Sequence, residues 1–440
     1  MLIDITSSPY NASADGTHDD TKALKAAFET IANNGGGTVE FPKNAFVCIS
    51  EALNLPSNIH ITTASGKARI KYYNAANEET KYLFLGNKIS NVTISNIAFD
   101  TQHQSPAVAA ILINGYGKEA LENSQISIEN CEFKGINKKG ACAVRVQKTN
   151  GITVKNCLFE DSYIGIGLWR RNSTITIHDN IFTDSMLNNA IRLTGTVDTK
   201  KPEYCDDVSI QDNHITVQAK KSVIQANGKP KGRPDSASGI YLTCGDKDYK
   251  ASLHGGKSNF HCDVRIVQNR IEGPRLGFFN GGSADLFAIK DTKNFLCTKN
   301  VAIGSGDLGF AFERCHHGEV SHNTAEENNS CGIGFAGSTA IHVLHNKCGS
   351  NEQTRDGIYQ NTPYGGIRIE YGSRDIFVEN NVFYHLPSLP KVTQQYGVVI
   401  KYTYKNKIKH YPSNIKVGNN QSSDQVFGAV FNEADDTQFF

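Results

Sequence analysis

The 440-residue chain lacks three features that mark common classes of protein. It has no electrostatic surplus, since 45 Lys and Arg face 44 Asp and Glu, so we expect no nucleic-acid partner and no attraction to anionic lipid. It has no run close to the roughly 18 apolar residues of a spanning helix, so we expect no membrane insertion. Its first residues also lack the basic and apolar regions of a secretory signal peptide.

Metal-ligand and disulfide patterns are missing as well. The 11 cysteines form no CxxC pair and no cluster with histidine, so we expect no metal and no other cofactor. An odd number leaves at least one thiol unpaired, and several cysteines occupy core-type positions. This pattern favours free, buried thiols over a disulfide framework.

Long helical patterns are rare, and one strand-like phrase recurs in their place. Two apolar residues separated by one other are followed by a polar spacer, an Asn and usually another apolar residue. Equivalent positions 130, 156 and 179 are 26 and 23 residues apart, and positions 299, 322 and 345 are 23 and 23 residues apart. Alternation indicates a strand with one buried face, and a period near 23 residues predicts a solenoid of stacked coils. The phrase occurs as VTISNIAF (92–99), ISIENCEF (126–133), ITVKNCLF (152–159), ITIHDNIF (175–182), VSIQDNHI (208–215), VRIVQNRI (264–271), FLCTKNVA (295–302), VSHNTA (320–325), IHVLHNKC (341–348), IFVENNVF (376–383) and IKVGNNQ (415–421).

A second phrase follows the first in most coils, with the form Gly, apolar, x, apolar, x. In a strand the two x positions face away from the core, so successive coils would align them in two outward columns. The phrase occurs as ACAVRVQ (141–147), IGIGLWR (164–170), NAIRLTG (189–195), SGIYLTC (238–244), LGFFNGG (276–282), LGFAFER (308–314), CGIGFAG (331–337), GGIRIEY (365–371) and YGVVIKY (396–402).

The recurring Asn predicts a hydrogen-bonded ladder at one corner of the coils, because its side chain bonds main chain and tolerates left-handed backbone. The residues Cys131 and Cys157 share one slot in adjacent coils, as do Phe133 and Phe159, which predicts inward stacks of like residues. The expected ladder residues, or their neighbours, are Asn96, Asn130, Asn156, Asn180, Asn213, Asn269, Asn300, Asn323, Asn346, Asn380 and Asn419.

The pattern predicts a single domain over residues 1–440. Asp19 or Asp20 precedes apolar residues at helical spacing, so an N-terminal cap with one amphipathic helix is expected over about 14–42. Coils are expected over about 43–421, with a long loop insertion at about 216–262 and a tail at 422–440.

Two stretches near the N-terminus, ADGTHDDTKALKAAF and GGGTVEFP, resemble the signature of the pectate-lyase superfamily. The resemblance implies an all-β, single-stranded right-handed parallel β-helix with an N-terminal capping helix. It also implies activity on a polysaccharide or oligosaccharide, as in hydrolases, lyases and phage tailspike depolymerases. The tailspikes imply a homotrimer and an extracellular or virion-associated location. GIRIEYG (366–372) is similar to a substrate-binding Arg-Ile-Lys strand of polygalacturonase-like hydrolases, with Glu370 in place of Lys.

The outward columns supply the candidate site. Glu313 and Glu370 stand two coils apart in one column, with backbones about 10 Å apart, and a rung of small residues leaves a hollow between them. An inverting glycosidase places its two carboxyl groups roughly 6.5–9.5 Å apart, so this pair is the first candidate for catalysis. The other catalytic candidates are Asp307 and Asp356, and the substrate-binding candidates are Arg368, Trp169, Arg192, Tyr241 and Lys401.

Three alternatives stay open at this point. Glu313 pairing with Arg314 or a nearby Lys, and Glu370 with Arg368, would make an ordinary charge ladder. A lyase would use a cation to neutralise a uronate and a base to take its α-proton, with Arg368, Arg192 or Lys401 in those roles. A spike or adhesin would bind carbohydrate without cleaving it. The carboxylate pairing favours a glycoside hydrolase.

Overall fold

The computed structural model describes residues 1–72, 81–101, 106–115, 121–186, 188–196, 200, 203–217, 237–245, 259–275, 284–352, 363–405 and 407–440. The chain divides into two compact units. The first comprises Met1–Met186, Ile191–Leu193 and Cys205–Asn213, and the second comprises Leu187–Ala190, Thr194–Tyr204 and His214–Phe440. Both units are built from short strands in three parallel sheets, which we call sheets A, B and C.

Sheet A contains 15 strands and follows the first recurring phrase. Its apolar residues alternate with outward polar ones, as the sequence predicts. The strands are Leu2–Asp4, Gly37–Phe41, Ile59–Thr63, Ser90–Ser95, Asn123–Glu129, Thr149–Lys155, Asn172–His178, Cys205–Gln211, His261–Val267, Thr292–Thr298, His316–Ser321, Thr339–Leu344, Arg374–Glu379, Ser413–Gly418 and Gln438–Phe439.

Sheet B contains 14 short strands, most of which begin just after the corner that ends the sheet A strand. The strands are Asp15–Asp19, Phe46–Ile49, Ala68–Tyr72, Ile97–Asp100, Glu132–Lys134, Leu158–Glu160, Ile181–Met186, His214–Val217, Arg270–Glu272, Val301–Ile303, Thr324–Glu326, Lys347–Gly349, Val382–Tyr384 and Gln421–Ser422.

Sheet C contains 13 strands and corresponds to the second recurring phrase. The strands are Leu53–Leu55, Tyr82–Asn87, Ala109–Asn114, Cys142–Gln147, Ile164–Trp169, Asn189–Thr194, Ser238–Thr243, Phe287–Lys290, Phe310–Glu313, Ile333–Ala336, Gly365–Glu370, Tyr396–Ile400 and Gly428–Asn432. An antiparallel hairpin of Thr403–Lys405 and Ile408–His410 follows the penultimate strand.

Consecutive coils pair in register. In sheet C, for example, Phe310 pairs with Ile333 and Ile333 with Ile367. Parallel strands one coil apart, each connected through the other two sheets, form the predicted right-handed parallel β-helix, and the fold class is confirmed.

The predicted helix is present as Thr21–Asn33, with Asp20 at its N-cap position. Its buried side chains include Leu24, Phe28 and Ile31, which face the strands of the first coils. Burying this apolar face also covers core that the first coil would otherwise expose, so the helix acts as the expected cap.

The Asn ladder exists, but it is shifted by one residue from part of the predicted set. Asn300 donates through Nδ2 to Asn323 Oδ1 at 3.0 Å, and Asn323 donates likewise to Asn346 at 3.0 Å. The residue just before each ladder position has positive φ at the corner and points outward. Five predicted residues occupy these corner positions instead of the ladder, namely Asn96, Asn130, Asn156, Asn380 and Asn419. In the last coils the ladder is therefore continued by Asn381 and Asn420.

The predicted stacks of like residues are confirmed. Phe133 and Phe159 are stacked with ring centroids 5.0 Å apart, and the stack continues to Phe182 at 4.6 Å. Cys131 and Cys157 are buried in the slot that asparagine fills in later coils, and Cys157 accepts a bond from the Cys131 amide. All 11 cysteines are free, and ten are buried.

The expected C-terminal tail needs correction, and much of the expected loop insertion lies outside the described residues. Residues after 421, expected as a tail, contain Gly428–Asn432 and Gln438–Phe439, which pair with sheets C and A. Of the expected loop insertion at 216–262, residues 218–236 and 246–258 lie outside the described residues. Within the described ranges, no helix is long and apolar enough to cross a membrane.

Candidate functional site

The predicted pair of glutamates lies in one outward column of sheet C, within the second unit. Lys290 pairs with Glu313, Glu313 with Ala336, and Ala336 with Glu370, so the two glutamates are two strands apart on one face. The rung before Glu313 is formed by Phe287–Lys290, because Tyr241 pairs directly with Ala288. The expectation that LGFFNGG (276–282) supplies this rung is therefore wrong.

Both glutamates form close ion pairs. Glu313 Oε2 lies 2.8 Å from Lys290 Nζ, and Glu370 Oε1 accepts a hydrogen bond from Arg368 Nη2 at 2.9 Å. The side chains of Glu313 and Glu370 are only 11% and 13% exposed, so these pairs are far more buried than a surface ladder. The expected alternative partner, Arg314, does not pair with Glu313: its guanidinium binds Asp291 with bonds of 2.6 and 2.7 Å.

Two further carboxylates lie beside this column, at the start of the strands. Asp285 precedes Phe287–Lys290, and its Oδ1 accepts a bond from the Leu308 amide at 3.2 Å. Asp307 is the residue before Leu308, and its own amide donates to Ser305 Oγ at 3.0 Å. Burial raises the pKa of the Asp285 carboxyl to about 8, and the negative charges of Asp307 and Glu313 add to the effect. Burial and these neighbouring charges therefore favour the protonated form of Asp285.

Two cations balance these acids. Burial opposes the charge of Lys290, but Glu313, Tyr241 and Asp285 outweigh it, so the pKa of Lys290 is raised. Burial likewise opposes the charge of Arg368, but Glu370 and smaller contributions from neighbours such as Tyr364 and Asp307 together outweigh it, so the pKa of Arg368 is raised and the side chain remains a guanidinium. Asp307 also contributes to this shift, so its charge acts on both Asp285 and Arg368.

Aromatic side chains border the charged groups. Lys290 Nζ lies 5.8 Å from the centroid of the Tyr241 ring, and Arg368 Cζ lies 5.0 Å from that of Tyr364. Burial raises the pKa of Tyr371, with the charge of Glu370 as the next cause. Sheet C thus brings four acids, two cations and three tyrosines together on one side of the second unit.

The hollow expected at Gly334 is filled in part by a neighbouring side chain. A Cβ atom added to Gly334 would lie 2.2 Å from Leu308 Cδ2, so the leucine covers this glycine. Leu308 directly follows Asp307, and its amide donates the hydrogen bond that Asp285 accepts. Its side chain covers Gly334 and forms an apolar surface, or floor, beside the acids. A larger residue at position 334 would displace this floor.

The predicted binding residues are divided between the units. Tyr241, Arg368 and Lys401 lie in the second unit, where Lys401 donates its amide to Ile369 at 3.0 Å. Trp169 and Arg192 belong to the first unit. There the Trp169 ring covers Gly167, and Arg145 Cζ lies 4.4 Å from the ring centroid. The remaining candidate, Asp356, lies outside the described residues.

Sequence reasoning missed Asp285, Lys290 and Tyr371. A usable signal was present, because Phe310 and Ile333 are 23 residues apart and the same step back reaches Phe287. That register gives the rung of Lys290 and the acid just before it. No comparable signal predicts the raised pKa of Asp285, which depends on burial and on acids from the next coil.

The comparisons with known proteins agree with this fold. Residues 7–200 match the family described as rhamnogalacturonase A/epimerase, pectate lyase-like. This match and the three parallel sheets confirm the resemblance to pectate-lyase-like β-helix proteins. The acid cluster at 285–371 lies beyond the matched residues, so its residues are assigned from geometry alone.

Individual relatives are distant. Plasmin and fibronectin-binding protein A of Streptococcus pneumoniae (strain ATCC BAA-255 / R6) is 24% identical over 428 residues, covering 86% of this chain and 56% of the relative. The chain thus spans about half the length of that relative. Tailspike protein 3 of bacteriophage CBA120 is similar with a TM-score of 0.59 and 9% identity, over 100% of this chain and 61% of that chain. The catalytic unit of an α-1,3-glucanase of the GH87 class from Streptomyces thermodiastaticus gives a TM-score of 0.58 and 11% identity, over 99% and 69%. Such identities show a shared fold.

Proposed function

We propose that this chain is a glycoside hydrolase that cleaves a polysaccharide by acid–base catalysis at the cluster of Asp285, Asp307, Glu313 and Glu370. The observation that carries the proposal is Asp285, a carboxyl group just before the strand Phe287–Lys290 whose pKa is raised to about 8 by burial and by the neighbouring acids Asp307 and Glu313. Glycosidic cleavage needs one protonated carboxylic acid and one carboxylate flanking the bond. The names of the matched family and of the glucanase support a polysaccharide as the substrate.

In this proposal Asp285 is the general acid. A carboxylic acid with a pKa near the working pH holds its proton until the leaving oxygen needs it. The Leu308 amide fixes one carboxyl oxygen of Asp285, which leaves the other to face the glycosidic oxygen. As the glycosidic bond breaks, the oxygen of a water molecule bonds to the anomeric carbon and Asp307 takes a proton from that water. After the products leave, Asp307 loses its proton to solvent and Asp285 regains one from solvent.

We assign the general base to Asp307, whose charge acts on both Asp285 and Arg368. Glu313 and Glu370 each contact a cation, at 2.8 and 2.9 Å, and that contact weakens a carboxylate as a proton acceptor because it stabilises the charged form. Glu313 and Glu370, the pair favoured by the sequence pattern, then hold Lys290 and Arg368 in place. The two cations would orient hydroxyl or carboxylate groups of the bound sugar.

Three variants test these roles. Each is incubated with rhamnogalacturonan, polygalacturonate, alginate and α-1,3-glucan, and new reducing ends are counted. We expect Asp285→Asn and Asp307→Asn to lower kcat at least about a hundredfold, the scale of lost acid–base help, without lowering the melting temperature below that of the parent chain. The control is Asp100→Asn, a substitution in sheet B. Parent-like turnover in both cluster variants would refute the assignment and return attention to Glu313→Gln and Glu370→Gln.

The pH profile is a separate test of the acid. Because Asp285 must be protonated to donate, kcat/KM should fall as the pH rises through about 8. The Asp285→Asn variant should lose this limb of the profile. A parent enzyme whose activity is constant from pH 7 to about 9 would contradict the assignment.

The second candidate is a lyase acting on a uronate-containing glycan. The buried guanidinium of Arg368 beside Tyr371 favours it, because a cation can neutralise a uronate carboxylate while a nearby base takes the α-proton. A lyase would release unsaturated sugars, which ultraviolet absorbance detects, and would not need a proton on Asp285. Retained binding without any cleavage would instead indicate a carbohydrate-binding adhesin or spike.

A further inference from the structure

A cluster of tyrosines lies on the hairpin of the second unit, outside the acid cluster. The strands Thr403–Lys405 and Ile408–His410 pair antiparallel, with Tyr404 directly opposite Lys409. Tyr402 precedes the hairpin and Tyr411 follows it. The Tyr404 side chain is 62% exposed and that of Tyr411 is 40% exposed, which is unusual for aromatic rings that contact one another.

The rings are held in fixed positions. Tyr402 meets Tyr404 edge-on, with centroids 5.2 Å apart and an interplanar angle of 90°, and meets Tyr411 at 5.3 Å. Lys409 Nζ lies 4.0 Å from the centroid of Tyr402. This cation–π contact joins the second hairpin strand to the residue that precedes the first. The outer faces of Tyr404 and Tyr411 are therefore presented to solvent at little further entropic cost.

The hairpin is continuous with the acid cluster. It begins directly after Lys401, whose amide bonds to Ile369 on the strand of Arg368 and Glu370. On its return, His410 Cβ lies 3.9 Å from the Cβ position of Gly372, in the turn that follows Glu370. The hairpin therefore contacts both the strand of Arg368 and Glu370 and the turn that follows it.

The charge of the segment points to one class of sugar. Residues 401–411 contain four Lys, one His and three Tyr, and no Asp or Glu, although the whole chain has a net charge of +1. Exposed aromatic faces stack on the apolar faces of pyranose rings, and ammonium groups bind carboxylates. Neutral sugars would stack on the aromatic rings but have no carboxylate for the lysines to bind.

We propose that the exposed tyrosines and lysines of this hairpin form a binding subsite for an acidic polysaccharide, with Tyr404 and Tyr411 stacking on sugar rings and the exposed Lys407 and Lys409 contacting uronate carboxylates. The inference rests on the proposed function only in taking a polysaccharide as the ligand. It names the substrate class that the acid cluster alone does not specify. It also assigns a role to residues that neither acid–base catalysis nor the folding of the coils requires.

The test measures binding of oligogalacturonates and oligomannuronates to the Asp285→Asn chain by calorimetry, with malto-oligosaccharides as the neutral comparison. We expect one acidic series to bind, more weakly as salt is raised. Adding Tyr404→Ala should weaken binding about fivefold, and the double change with Tyr411→Ala at least about tenfold, whereas Tyr404→Phe should retain it. The matched control is Phe427→Ala, which removes an aromatic ring that is 63% exposed and lies outside the hairpin.

Three results would overturn the subsite. They are parent-like binding by the double tyrosine variant, no binding of either acidic series, and equal tyrosine-dependent binding of a single-stranded oligonucleotide. Failure of the proposed function appears separately, as normal cleavage by Asp285→Asn. Tyrosine-dependent binding of oligouronates would still support the hairpin subsite in that case.

Discussion

At the scale of single residues, burial decides which charged groups matter. Glu313 and Glu370 lie in the column that the sequence pattern predicts, yet each forms an ion pair with a lysine or arginine of the same sheet. Asp285, which the pattern does not mark, has the strongest reason to act as an acid, because it is half-buried beside other acids that raise its pKa. Residue type and spacing predict the column of Glu313 and Glu370, whereas the protonation of Asp285 depends on burial and on acids from the adjacent coil.

The raised pKa of Asp285 has a consequence for stability. Its ordinary pKa is 3.8 and its folded value is about 8, so between these pH values the folded chain holds a proton that the unfolded chain releases. The stabilisation from that proton is complete below about pH 4 and is lost as the pH rises toward 8. Because Asp285→Asn cannot ionise, its melting temperature relative to the parent should increase between pH 4 and about 9. Parallel melting curves across this range would contradict the shift.

The ion pair of Arg314 and Asp291 should be structural. The two side chains are 5% and 0% exposed and are joined by two bonds, and Asp291 also accepts from the Cys244 amide. Replacing Arg314 by Met would leave a buried carboxylate without its cation, at a cost of about 3–5 kcal/mol in the free energy of unfolding measured with urea.

The matched control is the exposed pair of Lys134 and Glu160, whose nitrogen and oxygen lie 2.8 Å apart. Because those side chains are 55% and 35% exposed, Lys134→Met should cost less than about 1 kcal/mol. Equal losses in the two variants would mean that the Arg314 pair is no more important than a surface contact.

At the scale of elements, the corner of the coil shows how a short motif produces two roles. The first residue takes a positive φ and faces outward, as His322 does at 54°. The next residue points inward, and its side-chain amide joins the hydrogen-bonded ladder, as Asn323 does. A sequence pattern that allows Asn at either place predicts the corner but not which residue is buried. For this reason the pattern predicts Asn380 and Asn419 as ladder residues, whereas the structure has Asn381 and Asn420 there.

The two corner positions should respond differently to substitution. Asn323 donates to Cys297 O at 2.9 Å and accepts from the Asn300 amide, so Asn323→Leu should leave buried backbone groups unsatisfied and cost about 1–3 kcal/mol. His322→Asn, one residue earlier, keeps a side chain that tolerates positive φ and should be nearly neutral. Thermal unfolding of both variants compares the positions directly. A neutral Asn323→Leu would contradict the ladder as a source of stability.

At the scale of the whole molecule, the core is largely isoleucine, valine, alanine and phenylalanine, with buried cysteines and asparagines stacked between coils. Burial raises the pKa of the Cys142 and Cys205 thiols to about 12 and of Cys331 to about 11, so these sulfurs carry almost no thiolate at neutral pH. Cys262 is the one cysteine of the chain that is partly exposed.

This distribution predicts the outcome of thiol labelling. Iodoacetamide applied to the native chain should modify Cys262 first, and mass spectrometry should show a single adduct, whereas the denatured chain should take up to 11. A reducing agent should leave the melting temperature unchanged, since no disulfide is present. Several adducts on the native chain would show that the coils open readily.

The sequence alone determined the coil, its period and the cap. A solenoid repeats the same local contacts in each coil, so residues that stack, such as Phe133 and Phe159, recur at a regular spacing in the sequence. It also placed Glu313 and Glu370 in one column, since side-chain direction in a strand follows simple alternation. Only the tertiary structure revealed the rung of Lys290, the raised pKa of Asp285 and the tyrosine hairpin beside Gly372. Those features depend on which groups meet across coils and how far water is excluded, and neither quantity is periodic along the chain.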